Sequence, residues 1–426
     1  MAFAFDQPAG TLRRPGPREM TIMLAALMGL NSFAIDAMIP ALPAIGRSLH
    51  VLDENERQLV VIAYFLGFAS TQLVWGPLAD RFGRKPVLAA GIALYGLFAI
   101  LCALAGSFPL LIASRIGMGA SAAVTRVLVV AMVRDLFERE AMARVMSLVF
   151  MVFMLMPVLA PNIGIAILLF APWQAIFGAL ALYALVMLAW SGLRLPETLH
   201  PEYRRSLRFG DMAEAVLETA REPLSRGYTL ALTISFGALV AYIASIQQIV
   251  FDAFREPRLI GLVFAAIAAP MALASWTNSR VVGRFGLRRV GHSASAAFAV
   301  IAILHLAVAL SGRETLLTFV LFQGLTMCAF AFTSSNLSTL AMEHMARIAG
   351  TASSVQGMLG TVGAAIIGFV IGHAFNGTVL PYLVGTAGCA VGGFIAVVLT
   401  EPRNLFARLR AKPDEPALPN IPDEVV

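Results

Sequence analysis

Charge and cysteine are both scarce in this sequence. Asp, Glu, Lys and Arg make up 13% of its 426 residues, and it holds three cysteines. A soluble domain carries about 25% charged residues, so this chain cannot cover a surface in water. That excludes a cytosolic enzyme, a nucleic-acid-binding domain and a disordered chain. Cys102, Cys328 and Cys389 sit in separate apolar runs, which excludes a disulfide framework and a cysteine metal cluster. Glycine-rich phosphate loops, metal-ligand pairs at helical spacing and a nucleophile beside a base are missing too. No enzymatic activity, cofactor, metal or nucleotide is therefore expected.

Apolar sequence is what the chain has in excess: 59% of it is hydrophobic and its mean hydropathy is +0.80. About 20 apolar residues in a helix cross roughly 30 Å of hydrocarbon. Twelve segments qualify, at 20–45, 58–79, 86–106, 109–133, 145–168, 173–193, 228–251, 259–279, 291–311, 315–341, 350–372 and 379–399. The expected fold is an all-α membrane protein of 12 transmembrane helices in two six-helix, pseudo-symmetric halves. Its expected parts are an N-tail (1–19), a first half (20–193), a central loop (194–227), a second half (228–399) and a C-tail (400–426). The polar first 19 residues lead straight into a full span, so no cleavable signal peptide is expected. In the central loop, Met212, Val216, Leu217 and Ala220 share one helical face and suggest a short interfacial helix. The Pro-rich last 20 residues read as disordered.

In so apolar a chain, the +6 formal charge asks which side of a bilayer the bases face. With the N-terminus inside, 24 of the 31 bases fall in inner loops and tails, and Arg47, Arg57, Arg255, Arg258 and Arg313 fall outside. This positive-inside bias predicts that both termini are cytoplasmic. Duplication is visible as well. Arg81-Phe82-Gly83 after the second span returns as Arg284-Phe285-Gly286 after the eighth, at an offset of 203. Two such halves around a cavity are the plan of parallel-repeat secondary transporters.

Longer motifs narrow the reading. Gly76-Pro-Leu-Ala-Asp-Arg-Phe-Gly-Arg-Lys-Pro86 resembles the loop 2–3 signature of the major facilitator superfamily. Asp36-Ala-Met-Ile-Pro40-Ala-Leu-Pro43 in span 1, Arg115-Ile-Gly-Met-Gly119 in span 4, Pro157-Val-Leu-Ala-Pro161 in span 5 and Leu195-Pro-Glu-Thr-Leu199 after span 6 resemble the 12-span drug:proton antiporters, in particular the Bcr/CflA-type multidrug exporters. The fourth-span motif departs at Met118, where the family usually has Gln, and the fifth lacks its early glycines. The resemblance implies a proton-coupled exporter of small, partly hydrophobic drugs or toxic compounds in a bacterial inner membrane, working as a monomer. Its partners would be substrate, protons and lipid, with no nucleic acid. A proton-coupled exporter or importer of one metabolite, such as a sugar or nucleoside, and a transport-inactive sensor on the same scaffold are the alternatives.

Asp36 is the one carboxylate deep inside a span, and an intramembrane acid is a functional candidate by default. As a reversible proton carrier it would couple transport to protons. Pro40 and Pro43 remove backbone donors and should bend the helix beside it; Pro157 and Pro161 should do the same in span 5. At 1.5 Å per residue, Asp36 lies about 13 Å and Arg115 about 9 Å from the outer ends of their spans. Arg115 is therefore the expected partner of Asp36, and the resemblance implies that it modulates proton binding. Arg126 follows eleven residues later on the same helical face. Asn31, Tyr64, Gln72, Arg126, Tyr242, Gln247, Gln248, Gln323 and Asn336 are cavity candidates, although intramembrane polar groups commonly join helices. Gly76, Asp80, Arg81, Gly83, Arg84, Lys85, Arg134, Asp135 and Arg347 form the expected cytoplasmic gate, with pairs Asp80–Arg347 and Arg84–Asp135. The second half has no intramembrane acid or arginine, and His305 reads as a packed core histidine.

Overall fold

A computed structural model describes residues 15–137, 139–200, 202, 216–345 and 348–406. The first half holds α1 (Pro17–Asp36), α2 (Leu42–Ser48), α3 (Leu59–Phe82), α4 (Arg84–Ala103), α5 (Phe108–Leu136), α6 (Arg139–Leu168) and α7 (Gln174–Arg194). The second holds α8 (Pro223–Gln248), α9 (Ile260–Phe285), α10 (Leu287–Leu310), α11 (Leu316–Ala341), α12 (Ala349–His373) and α13 (Leu380–Thr400). Eleven spans among the described residues are long and apolar enough to cross a membrane. The 30-residue α6 supplies the length of the twelfth.

Side chains such as Leu182, Leu185, Leu304 and Val370 are exposed. A soluble protein would bury so many large apolar groups; here they face lipid, and backbone groups are satisfied inside each helix. Small residues set the closest crossings. A Cβ added to Gly67 would strike the Ile116 carbonyl, and one added to Gly119 would strike the Tyr64 carbonyl, which draws α3 onto α5. The halves meet along α3–α12 and α6–α9.

The first span is not one helix. α1 stops at Asp36, a 3₁₀ turn covers Ile39–Ala41, and α2 follows. Pro40 and Pro43 lack the N–H groups that would bond the carbonyls of Asp36 and Ile39 in a continuous helix. Pro157 and Pro161 both fall within α6. The duplication has a backbone counterpart: Gly83 (φ 103°, ψ 153°) separates α3 from α4, and Gly286 (φ 87°, ψ 153°) separates α9 from α10. In the central loop Val216–Arg221 is helical; Met212 and the Pro-rich tail after Phe406 lie outside the described residues.

Candidate functional site

Asp36 ends α1 with 4% of its surface exposed. Its carboxylate has no hydrogen bond or ion pair among the described residues, and it lies within electrostatic reach of the Tyr64 and Tyr242 hydroxyls. The expected pair with Arg115 is not formed. Arg115 is fully buried; its Nε donates to the Val60 carbonyl at 2.9 Å and its Nη1 to the Ala34 carbonyl at 3.2 Å. The guanidinium carbon also stands 4.6 Å from the centre of the Tyr64 ring. The physical reason is the break in span 1: a helix that ends at Asp36 leaves its last carbonyls without intrahelical donors. Arginine fills one of them, and the acid is left alone.

Several cavity candidates turn out to join helices. Asn31 donates to Thr125 Oγ1 at 2.6 Å and accepts from the Tyr64 hydroxyl at 3.0 Å. Asn336 donates to Asn278 Oδ1 at 2.8 Å, joining α11 to α9. Gln72 reaches Thr361 Oγ1 on α12 at 3.4 Å, across the halves. Gln248 is not in a cavity at all. It bonds Gln58 and donates to Asn55 Oδ1 at 2.8 Å, at the end of the bundle opposite the chain termini. Gln58 continues to the Gly372 carbonyl at 2.9 Å, and Asn55 to the carbonyls of His373 and Phe375 at 3.1 and 3.0 Å. This clamp ties the two halves; Asn55 and Gln58 lie in the 3₁₀ helix Glu54–Gln58, before or at the very start of the expected second span, and no motif marks them. The clamp and Gln72–Thr361 both hydrogen-bond one half to the other. Tyr242 Oη and the Gln247 amide are buried without a partner among the described residues, and Gln323 is buried beside Tyr382 and Thr386.

Arg126 differs from Arg115. Its side chain is exposed and has no hydrogen bond, ion pair or ring contact among the described residues. Eleven residues are about three turns, so it shares the Arg115 side of α5, the side on which Thr125 bonds Asn31 of α1. A charge facing lipid at mid-span costs about 2.5–3.5 kcal/mol even on the mildest scale. Its exposure is accordingly to the space between the halves.

At the termini-bearing face, Arg84 binds Asp80 at 2.7 Å and Asp135 at 3.3 Å, the latter being the pair the sequence suggests. Arg347 lies outside the described residues, and with it the Asp80–Arg347 contact. Arg81 and Arg134 are exposed and Lys85 half-buried; the Gly76 position touches Val127 of α5. Glu197, unassigned from sequence, caps α4. Its Oε1 accepts the Arg84 N–H at 2.9 Å and its Oε2 the Lys85 N–H at 3.3 Å. A carboxylate at a helix N-terminus satisfies orphan donors and complements the dipole.

The second half repeats this cluster with other residues. Arg288 binds Glu343 at 2.6 Å and Glu401 at 2.8 Å. The Tyr228 hydroxyl donates to Glu401 at 2.5 Å and stands 2.8 Å from His292 Nε2, while the Phe406 N–H donates to His292 Nδ1 at 3.2 Å. Burial alone would raise the pKa of Glu401, but the hydrogen bonds from Arg288 and Tyr228 outweigh it and hold the carboxyl below its ordinary value. His305 is likewise no lone core histidine: its Nε2 meets Glu314 Oε1 at 3.0 Å, with both side chains buried. The acid comes from the loop after α10, outside the span, which is why a scan of spans overlooked it.

Residues 24–368 match the Major Facilitator Superfamily. Over 401 residues the chain is 31% identical to the bicyclomycin resistance protein homolog of Haemophilus influenzae (strain ATCC 51907 / DSM 11121 / KW20 / Rd), covering 91% of this chain and 97% of that protein. It is 33% identical over 210 residues to the multidrug resistance protein MdtL of Escherichia coli O9:H4 (strain HS), which is 49% of this chain and 53% of MdtL. Among solved structures, a bacterial homolog of the human lysosomal transporter Spinster, in an inward-facing and occupied conformation, shares the fold. The TM-score is 0.71 at 14% identity, covering 94% of this chain and 100% of the other. Two repeated halves, the signature around Asp80 and a family match from the first span into the eleventh lead to one conclusion: the chain belongs to the Major Facilitator Superfamily, as a multi-pass membrane transporter of the Bcr/CflA type.

Proposed function

We propose that this transporter exports small, partly hydrophobic compounds in exchange for protons, across an inner membrane, with both termini in the cytoplasm. The observation that carries the proton role is Asp36, a buried carboxyl with no counter-ion at the break of span 1. Such a group holds a proton when its surroundings are dry and releases it when water enters. Arg115 acts beside it by pinning the end of α1, so the carboxyl has a fixed position from which to report on the cavity. The names of the Haemophilus and Escherichia relatives support drug export, and the density of bases at the termini-bearing face supports a cytoplasmic assignment. In this orientation the clamp of Asn55, Gln58 and Gln248 closes the periplasmic side, which supports an inward-open reading; Arg84–Asp135, formed at 3.3 Å, then joins two helices of one half and is not the contact that breaks on opening inward. Substrate enters from the cytoplasm, the halves rock about the α3–α12 and α6–α9 contacts, and proton and substrate alternate in one cavity.

Everted vesicles loaded with the protein test this reading. Addition of a substrate drug to energised vesicles should release protons, and Asp36→Asn should abolish both that release and uphill accumulation. Uphill, proton-driven export by Asp36→Asn would refute the mechanism.

A further inference from the structure

On the transporter reading proposed above, the cavity has to recognise its compound through side chains that the fold leaves unbonded. Arg126 lies ten residues from the inner end of α5, about 15 Å into the bilayer at 1.5 Å per residue. At that depth an arginine that served only the fold would be bonded as Arg115 is, to carbonyls and a ring. Arg126 bonds nothing among the described residues and its side chain is exposed; the cost of meeting lipid at that depth directs it to the space between the halves. The acids that could neutralise it are engaged elsewhere: Asp80 and Asp135 with Arg84, and Glu19 with Arg194 at 2.7 Å. Asp36 is five residues outward of Asn31, whose partner Thr125 precedes Arg126, so the acid stands about 9 Å further along the bundle axis.

Arg126 also has company. Arg126, Val130 and Arg134 form an i, i+4, i+8 stripe on α5, and all three are exposed. Arg134 stands at the mouth, Val130 provides an apolar step and Arg126 is the terminus. A line of unneutralised cations in a cleft with low-dielectric walls raises the local concentration of anions. A planar guanidinium with free donors fits a carboxylate through two parallel hydrogen bonds.

We propose that Arg126 is the binding point for a carboxylate on the transported compound, with the apolar body of that compound against the walls of the cavity and Arg134 guiding its approach. The probe pair is 2-naphthoate and 2-naphthamide, which share an apolar ring and differ in the charge of one group. Thermal unfolding of the purified full-length protein in nanodiscs should respond to 2-naphthoate with saturation. Arg126→Gln should raise the half-saturating concentration at least ten-fold, Arg126→Lys should keep part of the response, and the amide should be weak and indifferent to either change. Equal stabilisation by acid and amide, or an unchanged 2-naphthoate response in Arg126→Gln, would overturn the proposal. If Arg126→Gln fails to fold, the acid-against-amide difference in the unmodified protein decides alone. Binding that follows this pattern in a protein that moves no compound in vesicles would sink the export reading and leave the site standing.

Discussion

Arg115 and Gly83 show how single residues carry this molecule. Arg115 fills carbonyls on two helices with a planar fork, and lysine has no second donor arm in that geometry. Arg115→Lys should therefore leave a buried carbonyl unmet, a loss of about 1–3 kcal/mol, seen as a lower unfolding midpoint in detergent together with slowed transport. Gly83 sits at φ 103°, a region open to glycine, and a side chain there would displace the Glu197 carboxylate from the start of α4. Gly83→Ala should cost about 1–3 kcal/mol and reduce transport. The role of Asp36 as a candidate was legible in the sequence because a lone acid in an apolar run has few uses. Its separation from Arg115 was not, because matching depths along two helices says nothing of which donor a carbonyl claims first.

At the scale of elements, each half ties together its own termini-bearing end by the same device, an arginine at the start of its third span held between two acids. Motif matching finds Arg84 and Asp135 in the first half. Arg288 and Glu401 stand 113 residues apart, as Arg84 and Glu197 do, but no signature marks them, and Glu343 is shifted, 55 residues after Arg288 where Asp135 is 51 after Arg84. Glu401 makes a pH test available. Its carboxyl titrates below the ordinary range in the folded state, so its contribution is present above about pH 4.3, the unperturbed glutamate value, and is lost as pH falls through the lower folded value. Glu401→Gln should lower the unfolding midpoint at neutral pH, and the gap to the unmodified protein should shrink in acid. A gap constant from pH 7 to pH 3 would remove the carboxylate from the account. The break between α1 and α2 was legible from Pro40 and Pro43, since a missing N–H is a property of the sequence and not of its surroundings.

For the whole molecule, span count, duplication and the sidedness of charge could be read directly, because lipid imposes length and polarity on every crossing helix. The contacts between halves could not, because nothing in the sequence says that the 3₁₀ helix of Asn55 and Gln58 meets the end of α8 at Gln248, which reads from sequence as a cavity residue. Removing a hydrogen bond of this kind shifts an equilibrium by about 1 kcal/mol, near five-fold. Gln58→Ala with Gln248→Ala should thus populate the periplasm-open state, measured as a longer spin–spin distance between labels at Leu52 and Thr378, both exposed. An unchanged distance distribution would show that packing along α3–α12 closes that side unaided. The clamp is built from side-chain amides and backbone carbonyls alone. None of these groups titrates near neutrality, and none is an ion whose attraction salt would screen. Acidifying or salting the compartment on that side therefore should leave the closed clamp as it is, and under the proposed exchange a proton from there would serve as cargo and not as a trigger.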